Sequence, residues 1–310
     1  MNAAFEGAEA TTGAALRLLL QSCGGEIVSV AFISSTQART HGRQHGSGCE
    51  HATDRSASAS YARVPFSPRL APSDAAIASA SVQLLPCPRG ALSGLVPQPF
   101  EAVLVGQPDR VDLRVLAVGL NFRDVLNVLG MYPGDPGPPG ADCAGVVSGR
   151  GVDASEHRVG DAVFGLAVGC LGTEGATVSQ LLASKLSSMP FSSAATVPTV
   201  FTTVSAALAG SPQGSVLVHG ASGGVGLAAV EVASAAGLGL FGTVGGHGKR
   251  SLLRSLGVSA AFDSRSSKFA ELASVAGSAR VDCVLNSLTS SGMVAASLAA
   301  CFRTARFREI

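Results

Sequence analysis

The chain has 310 residues, of which 46% are hydrophobic and 14% are charged, which is enough for two domains with a substantial core. Its 22 lysine and arginine residues nearly balance its 21 aspartate and glutamate residues, so the composition provides no basic surface for nucleic acid or for an anionic membrane. No uninterrupted apolar run reaches the roughly 18 residues of a transmembrane helix, and the first residues are too polar for a signal peptide. The seven cysteines have no CxxC spacing, which predicts reduced thiols and a cytoplasmic location.

The first 60 residues contain one helix-like run, 14–21, and one strand-like run, 27–33, followed by small and polar residues without periodicity. Such a tract has too little apolar surface to offset the entropy of ordering, so it predicts a disordered linker. It contains four residues of metal-binding type, His41, His45, Cys49 and His51. With no second ligand cluster, the linker is favoured over a structural zinc site.

Residues 61–190 contain short apolar runs separated by glycine and proline. These runs are 100–105, 111–118, 145–147 and 162–164. Frequent turns between short runs are typical of an antiparallel sheet, so this segment predicts a mostly antiparallel β-domain.

Residues 191–310 alternate between strand-like and helix-like runs. The predicted strands are 215–219, 238–244, 260–262 and 281–285, and the predicted helices are 226–236, 249–256, 268–275 and 292–302. This alternation predicts βαβ units and a parallel sheet.

The stretch "VLVHGASGGVG" runs from a buried strand directly into four glycines, Gly220, Gly223, Gly224 and Gly226. Glycines between a strand and a helix let the backbone approach a pyrophosphate, and the helix N-terminus supplies unpaired N–H groups. The turn therefore predicts nucleotide binding, with Ser222 and Val225 of the same turn at the nucleotide. The alternative is an ordinary tight turn between a strand and a helix.

The order of the domains distinguishes between two classes of dehydrogenase that have similar turns. The two tyrosines, Tyr61 and Tyr132, both precede the glycine turn. The catalytic tyrosine that short-chain reductases place after that turn is therefore missing. A β-domain that precedes the nucleotide domain is instead the medium-chain order.

Four motifs in chain order carry a resemblance to a known family. They are "VLAVGLNFRDVLNVLGMYPG" at 115–134, "AATVPTVFTT" at 194–203, "VLVHGASGGVGLAAVEVA" at 216–233 and "VDCVLNSL" at 281–288. Together they resemble the enoyl reductase domain of type I polyketide synthases and fatty acid synthases, in the zinc-independent medium-chain dehydrogenase/reductase superfamily. The resemblance places Asn286 and Ser287 of the last motif at the cofactor.

The resemblance implies an α/β fold in which a GroES-like, mostly antiparallel β-domain at 61–190 precedes a Rossmann-type parallel-sheet domain at 191–310. Residues 1–60 would then be the tail of an upstream domain. The resemblance stops inside what should be the fifth parallel strand, so we expect the second domain to be incomplete. A sheet with an unpaired edge leads us to expect that the chain alone is prone to aggregation.

The end of the second parallel strand bears on the choice of cofactor. An NAD site has an acidic residue there for the ribose hydroxyls, but this sequence has no Asp or Glu between Glu231 and Asp263. The loop "TVGGHGKR" contains Thr243, Lys249 and Arg250, so a 2′-phosphate would meet cations. NADPH is therefore predicted. The alternative is that Lys249 and Arg250 simply begin a solvated helix.

The "NFRD" element supplies the catalytic candidates that the resemblance implies, Asn121, Arg123 and Asp124, beside the substrate and the nicotinamide. Lys249 matches a lysine considered a proton donor in the family. The family's alternative donor, an aspartate, is missing between Arg265 and Phe269. The structural alternatives are that Asn121 caps a helix over 122–129 and that Arg123 and Asp124 form a local ion pair.

No metal is predicted, because the β-domain lacks the ligand set of the zinc-dependent relatives. Asp142 and Cys143 are expected to be ordinary residues at a strand end, and His157 stands alone among histidines of that domain.

The predicted function is NADPH-dependent reduction of an α,β-unsaturated acyl thioester carried by an acyl carrier protein. The expected partners are other domains of a megasynthase and a second copy of the chain, with neither nucleic acid nor membrane. Two alternatives stay open. One is a free-standing, zinc-independent quinone oxidoreductase, and the other is a non-catalytic remnant within a megasynthase.

Overall fold

The computed structural model describes residues 31–33, 81–101, 104–210, 214–271 and 280–310. The predictions for the run 14–21 and for the histidines and cysteine of 41–51 lie outside these residues. Within the run 27–33, Ala31–Ile33 forms a strand that pairs antiparallel with a strand of the β-domain.

The first half of the described chain is built from eight strands. They are β1 (Ala31–Ile33), β2 (Val82–Pro86), β3 (Leu95–Pro99), β4 (Arg110–Gly119), β5 (Asp142–Arg150), β6 (Ala162–Leu166), β7 (Glu174–Val178) and β8 (Leu182–Ser184). Six of them form one sheet in the order β1-β4-β5-β6-β8, with β7 also paired to β4, and every pairing is antiparallel. β2 and β3 form a separate antiparallel hairpin. The predicted antiparallel β-domain is therefore confirmed.

Strand β4 shows why this sheet forms. Its first half alternates, with Val111, Leu113 and Val115 buried and the charged residues between them more exposed. Because side chains alternate between the two faces of a strand, one face of β4 points into the core. Of the apolar run 100–105, the described residues 100, 101, 104 and 105 are not in a strand, and Leu104 has φ 58° and Gly106 has φ 85°, in the left-handed region. The rest of the run lies outside the described residues.

The second half contains a five-stranded parallel sheet. Its strands are β9 (Ser215–Val218), β10 (Gly239–Val244), β11 (Ala260–Asp263), β12 (Val281–Asn286) and β13 (Cys301–Glu309), in the order β11-β10-β9-β12-β13. Buried residues such as Val216, Leu217 and Val218 follow one another because both faces of the central strands are covered. The predicted parallel sheet is confirmed.

Six α-helices lie in the described chain. They are α1 (Phe122–Val128), α2 (Phe191–Ala194), α3 (Pro198–Leu208), α4 (Gly224–Ala235), α5 (His247–Ser255) and α6 (Met293–Ala299). The helix predicted over 292–302 is too long, because the chain leaves α6 at Ala299 and pairs with β12 from Cys301 onward. Of the helix predicted over 268–275, a 3-10 turn at Ser267–Glu271 is described and the rest lies outside the described residues.

One hydrophobic cluster joins the two sheets. It contains Phe164 of the first sheet, Phe201 of α3, and Val216 and Leu285 of the second. The domain boundary at 190/191 stays a prediction, and this core crosses it. Among the described residues, the segment Phe191–Leu208 has a mean hydropathy of 1.2 over 18 residues, enough by length and composition to cross a membrane, and 50% of it is buried inside the protein.

Candidate nucleotide and substrate site

The glycine turn connects the end of β9 to the first residue of α4. Gly220 has φ 60°, a conformation that side chains disfavour. A Cβ atom at Gly226 would lie 2.5 Å from the Gly220 carbonyl oxygen and 2.5 Å from the Ala221 Cα atom, so only glycine fits. Gly223 and Gly224 are exposed at the N-terminus of α4, whose first turn contains no acidic residue. This bare, positively polarised turn suits a pyrophosphate.

Directly beneath the turn lies a buried histidine that the sequence analysis did not single out. His219 contacts the Thr243 hydroxyl through Nδ1 at 2.9 Å and the Ser297 hydroxyl through Nε2 at 2.8 Å. Because the Ser297 hydroxyl donates to the Met293 carbonyl oxygen, it accepts from Nε2–H, and Nδ1 accepts from Thr243. Burial lowers the pKa of His219 to about 4. The neutral ring therefore joins β9, β10 and α6 at the carboxyl edge of the sheet.

The histidine predicts a pH dependence of stability. Its pKa is lowered from 6.5 to about 4, so its contribution is present above pH 6.5 and is lost as pH falls toward 4. The loss amounts to about 3 kcal/mol at 1.36 kcal/mol per pKa unit. We expect His219→Gln to be less stable at neutral pH and to remove this slope, as measured by denaturant unfolding from pH 4 to 7. An unchanged slope in the variant would contradict the assignment.

The end of β10 carries the residues predicted for the 2′-phosphate. Thr243 is fully buried, and its hydroxyl donates to His219. That hydroxyl is therefore not a free donor for a phosphate. Lys249 is exposed on the first turn of α5. Arg250 lies 3.7 Å from an Asp263 carboxylate oxygen, so its charge is partly balanced within the protein.

A further cation, which the sequence analysis did not predict, lies at the same edge. A Cβ atom at Gly245 would lie 3.8 Å from a guanidinium nitrogen of Arg265. Arg265 is exposed and follows β11, the neighbour of β10 in the sheet. The carboxyl ends of parallel strands meet at one edge, which is the signal that could have located it.

The two candidates after β12 occupy different environments. A Cβ atom at Gly220 would lie 3.3 Å from the Ser287 hydroxyl, so Ser287 lies beside the glycine turn. Asn286 is fully buried, and its side chain donates to the Leu288 carbonyl oxygen at 3.3 Å. Asn286 therefore shapes the loop in which Ser287 lies.

The Asn-Phe-Arg-Asp element begins α1. Asn121 is the N-cap residue, as predicted. The Asp124 carboxylate accepts hydrogen bonds from the backbone N–H groups of Asn121 and Gly140, both at 2.8 Å, and the residue is 6% exposed. Asp124 thus braces the start of the helix against the loop before β5.

The predicted ion pair between Arg123 and Asp124 is wrong. Arg123 donates to the Pro136 carbonyl oxygen at 3.2 Å, and its guanidinium carbon lies 5.4 Å from the centre of the Tyr132 ring. Both carboxylate oxygens of Asp124 accept from backbone N–H groups, so Asp124 is turned away from Arg123.

Asp142 begins β5, as expected of a strand-end residue, but its environment is unusual. It is 1% exposed and accepts hydrogen bonds from the Thr199 hydroxyl at 2.5 Å and from the Thr199 backbone N–H at 3.2 Å. Burial raises the pKa of Asp142 to about 6, against the lowering effect of Thr199 and Asn121. The buried Asn121 side-chain nitrogen beside it makes no hydrogen bond of good geometry with the described residues.

Two cysteines lie behind Asp142. The Cys170 thiol contacts the Asp142 carbonyl oxygen at 3.6 Å, and its hydrogen bond with Cys143 and its burial raise the pKa of Cys170. Cys143 and Cys170 are both fully buried. Among the residues that the structure describes, no group of three or more His, Cys, Asp or Glu is arranged to hold a metal ion.

Comparisons with known proteins agree with this geometry. The family described as Alcohol dehydrogenase GroES-like domain matches residues 107–200. The phenolphthiocerol synthesis polyketide synthase type I Pks15/1 of Mycobacterium bovis is 39% identical over 255 residues, covering 78% of this chain and 12% of that protein. The crystal structure of CurK enoyl reductase is 36% identical with a TM-score of 0.69, covering 74% of each chain. Escherichia coli quinone oxidoreductase complexed with NADPH is 26% identical with a TM-score of 0.62, covering 73% of this chain and 72% of that one.

An antiparallel domain joined to a parallel five-stranded sheet, with a glycine turn at the carboxyl edge, defines an oxidoreductase of the medium-chain dehydrogenase/reductase superfamily. Within it, the chain belongs to the enoyl reductases of polyketide synthases. It spans about an eighth of the length of Pks15/1, a multidomain synthase.

Proposed function

We propose that the chain reduces an α,β-unsaturated acyl thioester on an acyl carrier protein, with NADPH as the reductant, within a polyketide synthase. The observation that carries the proposal is the carboxyl edge of the parallel sheet. There the glycine turn lies near a strand end with exposed Lys249 and Arg265, and Asp263 at the end of β11 is paired with Arg250. An adenosine 2′-phosphate suits that edge better than the bare ribose hydroxyls of NADH.

The residues present fit a dinucleotide. The backbone of the glycine turn and the N-terminus of α4 would hold the pyrophosphate, and Lys249 and Arg265 would hold the 2′-phosphate. The nicotinamide supplies the hydride that adds to the β-carbon of the thioester. We assign Lys249 to the phosphate rather than to proton donation, because it lies among the cations that follow β10 and β11.

The substrate would lie along α1 next to Asn121. Phe122 is 75% exposed and Met131 is 66% exposed, and Val125 is also exposed on this surface. Exposed apolar side chains beside polar catalytic candidates suit an acyl chain better than a small polar substrate. The enolate that forms after hydride addition requires a hydrogen-bond donor at its oxygen and a proton at its α-carbon. Exposed Arg123 is a candidate donor to the oxygen, whereas the side-chain nitrogen of Asn121 is buried.

Steady-state oxidation of NADPH tests the proposal. We expect turnover with crotonyl thioesters that exceeds turnover with simple quinones, and we expect NADH to be a poor substitute. Greater activity with quinones would favour the quinone oxidoreductase function, which the likeness to the Escherichia coli enzyme supports. NADPH binding without turnover of any acceptor would favour a non-catalytic domain. Other synthase domains and a second copy of the chain are proposed partners of the same activity.

A further inference from the structure

We propose that Asp142 is a positioning residue for the reaction, which holds the start of α1, where Asn121 lies, and the first turn of α3 in a fixed relation across the junction of the two sheets. The inference rests on the proposed function, because the substrate would lie along α1. It goes beyond that function by assigning a role to a carboxyl group that contacts neither substrate nor cofactor in the proposal.

The first argument is the position of the hydrogen bonds. Asp142 begins a strand of the antiparallel sheet, whereas Thr199 lies in the first turn of α3, 57 residues later. Both carboxylate oxygens face the Thr199 N–H, and one of them also accepts from the Thr199 hydroxyl. A carboxylate at a helix N-terminus is stabilised by the helix dipole as well. Asp142 thus ties the first sheet to the start of the helix that packs on α4.

The second argument is the chemistry of the neighbours. Two groups donate to the carboxyl group, the Thr199 N–H and the Thr199 hydroxyl, and strand pairing places Asp142 opposite Gly119, two residues before Asn121. An ionised carboxylate only accepts, so it matches these donors. A protonated carboxyl group adds an O–H that would need an acceptor in the same small space. Within the described ranges, no cation forms an ion pair with Asp142.

The pKa that separates the ionised and protonated forms of Asp142 lies close to neutral pH. Burial raises the pKa of Asp142 to about 6, and the nearby Asp124 charge raises it slightly, while the donors lower it. The remaining titratable neighbours are the thiols Cys143 and Cys170, and the pKa of Cys170 is raised. The carboxylate form therefore prevails above pH 6, and the protonated form prevails below it.

A change of form at Asp142 would be transmitted to the reaction through the start of α1, because Asp142 pairs with Gly119, just before Asn121. When the carboxyl group is protonated, it loses acceptor capacity toward Thr199, and the junction between the start of α1 and the first turn of α3 is loosened. A displacement of about 1 Å at a catalytic group costs on the order of 100-fold in rate. We therefore expect kcat/KM for the thioester to fall as pH decreases through 6.

The experiment compares the wild-type chain with Asp142→Asn, Thr199→Val and a control, Asp282→Asn. Asp282 accepts from the backbone N–H of Ser215 at 2.8 Å and from the Ser215 hydroxyl at 3.2 Å, so it has the same donor pattern outside the site. We expect Asp142→Asn to lower kcat about 10-fold or more above pH 7 and to abolish the pH dependence near 6. Thr199→Val should lower kcat in the same direction, and Asp282→Asn should behave as wild type.

Hydrogen–deuterium exchange of residues 121–124 and 198–201 provides a readout that does not need turnover. After correction for intrinsic rates, we expect protection in the wild type to differ between the two sides of pH 6, and we expect no such difference in Asp142→Asn. If the wild type turns over no enoyl thioester, the proposed function fails, and the exchange data alone decide the role of Asp142.

Equal pH dependence of exchange in the wild type and in Asp142→Asn would overturn the proposal. So would a variant that is slower but keeps the pH profile of the wild type. If Asp142→Asn does not fold, Thr199→Val carries the test, and unchanged protection and kcat in that variant would overturn it.

Discussion

Gly226→Ala is expected to lower the affinity for NADPH by at least about 100-fold, equivalent to roughly 2.7 kcal/mol. The added Cβ atom would lie 2.5 Å from the Gly220 carbonyl oxygen and from the Ala221 Cα atom, which are backbone atoms and cannot rotate away. The start of α4 would have to move off the strand, and the N–H groups proposed to face the pyrophosphate would move with it. Isothermal titration with NADPH measures the loss.

Gly239→Ala is the matched control for this change. Gly239 lies at the opposite end of the sheet, at the start of β10, and a Cβ atom there would lie 3.3 Å from the Ser215 Cβ atom. We expect its affinity for NADPH to stay within about twofold of wild type. Near-normal binding by Gly226→Ala would show that the turn does not hold the cofactor.

The second large effect is expected at the basic edge. The double variant Lys249→Met and Arg265→Met should reduce the preference for NADPH over NADH by about 100-fold or more, since a hydrogen bond to a charged group contributes about 1.5–3 kcal/mol. The KM for NADPH should rise and kcat should change little, because the 2′-phosphate is remote from the reacting carbon. Steady-state kinetics with both cofactors measures the ratio.

Lys268→Met controls for the general loss of positive charge, because Lys268 is an exposed cation on the next turn of the chain. It should leave the cofactor preference unchanged. A double variant with wild-type preference would refute the assignment of the phosphate site. A large fall in kcat at an unchanged KM would instead support proton donation by Lys249.

The sequence predicted those parts of the site that depend on short-range pattern. The glycine turn is a local signal, since the strand, the four glycines and the helix lie within about 20 residues of one another. The N-cap role of Asn121 is local in the same way. Family resemblance then placed these elements in a common fold, and the structural neighbours agree with it.

The parts that were missed depend on long-range contacts. The partner of Asp142 is 57 residues away, and the hydrogen bond of His219 with Ser297 spans 78 residues. Neither residue type indicates its partner, so sequence pattern left Asp142 as an ordinary strand end. Strand β13 was assigned in part to a helix, because its pairing with β12 decides its conformation. The hairpin of β2 and β3 was also missed, because proline within a run argues against a strand and both strands contain proline.

The two buried ionisable groups have opposite effects on stability. Protonation of His219 destabilises the fold as pH falls from 6.5 toward 4, whereas the raised pKa of Asp142 means that its stabilising contribution is lost as pH rises from 3.8 through 6. Between pH 4 and 6 the two slopes oppose each other. A flat profile in the wild type therefore does not argue against either shift, and the single variants reveal each slope.

The hydrophobic cluster shared by the two sheets limits how this enzyme can be recombined. Phe164 of β6 lies in the same core as Phe201 of α3 and Leu285 of β12, so the two halves of the molecule have adapted to each other. A chimaera joined at 190/191 would combine two halves of a core that come from different proteins, and misfitting cores cost about 1–3 kcal/mol. Exchange of substrate specificity between synthases should therefore succeed more often by transplanting the proposed substrate surface of α1 than by swapping the antiparallel sheet as a block.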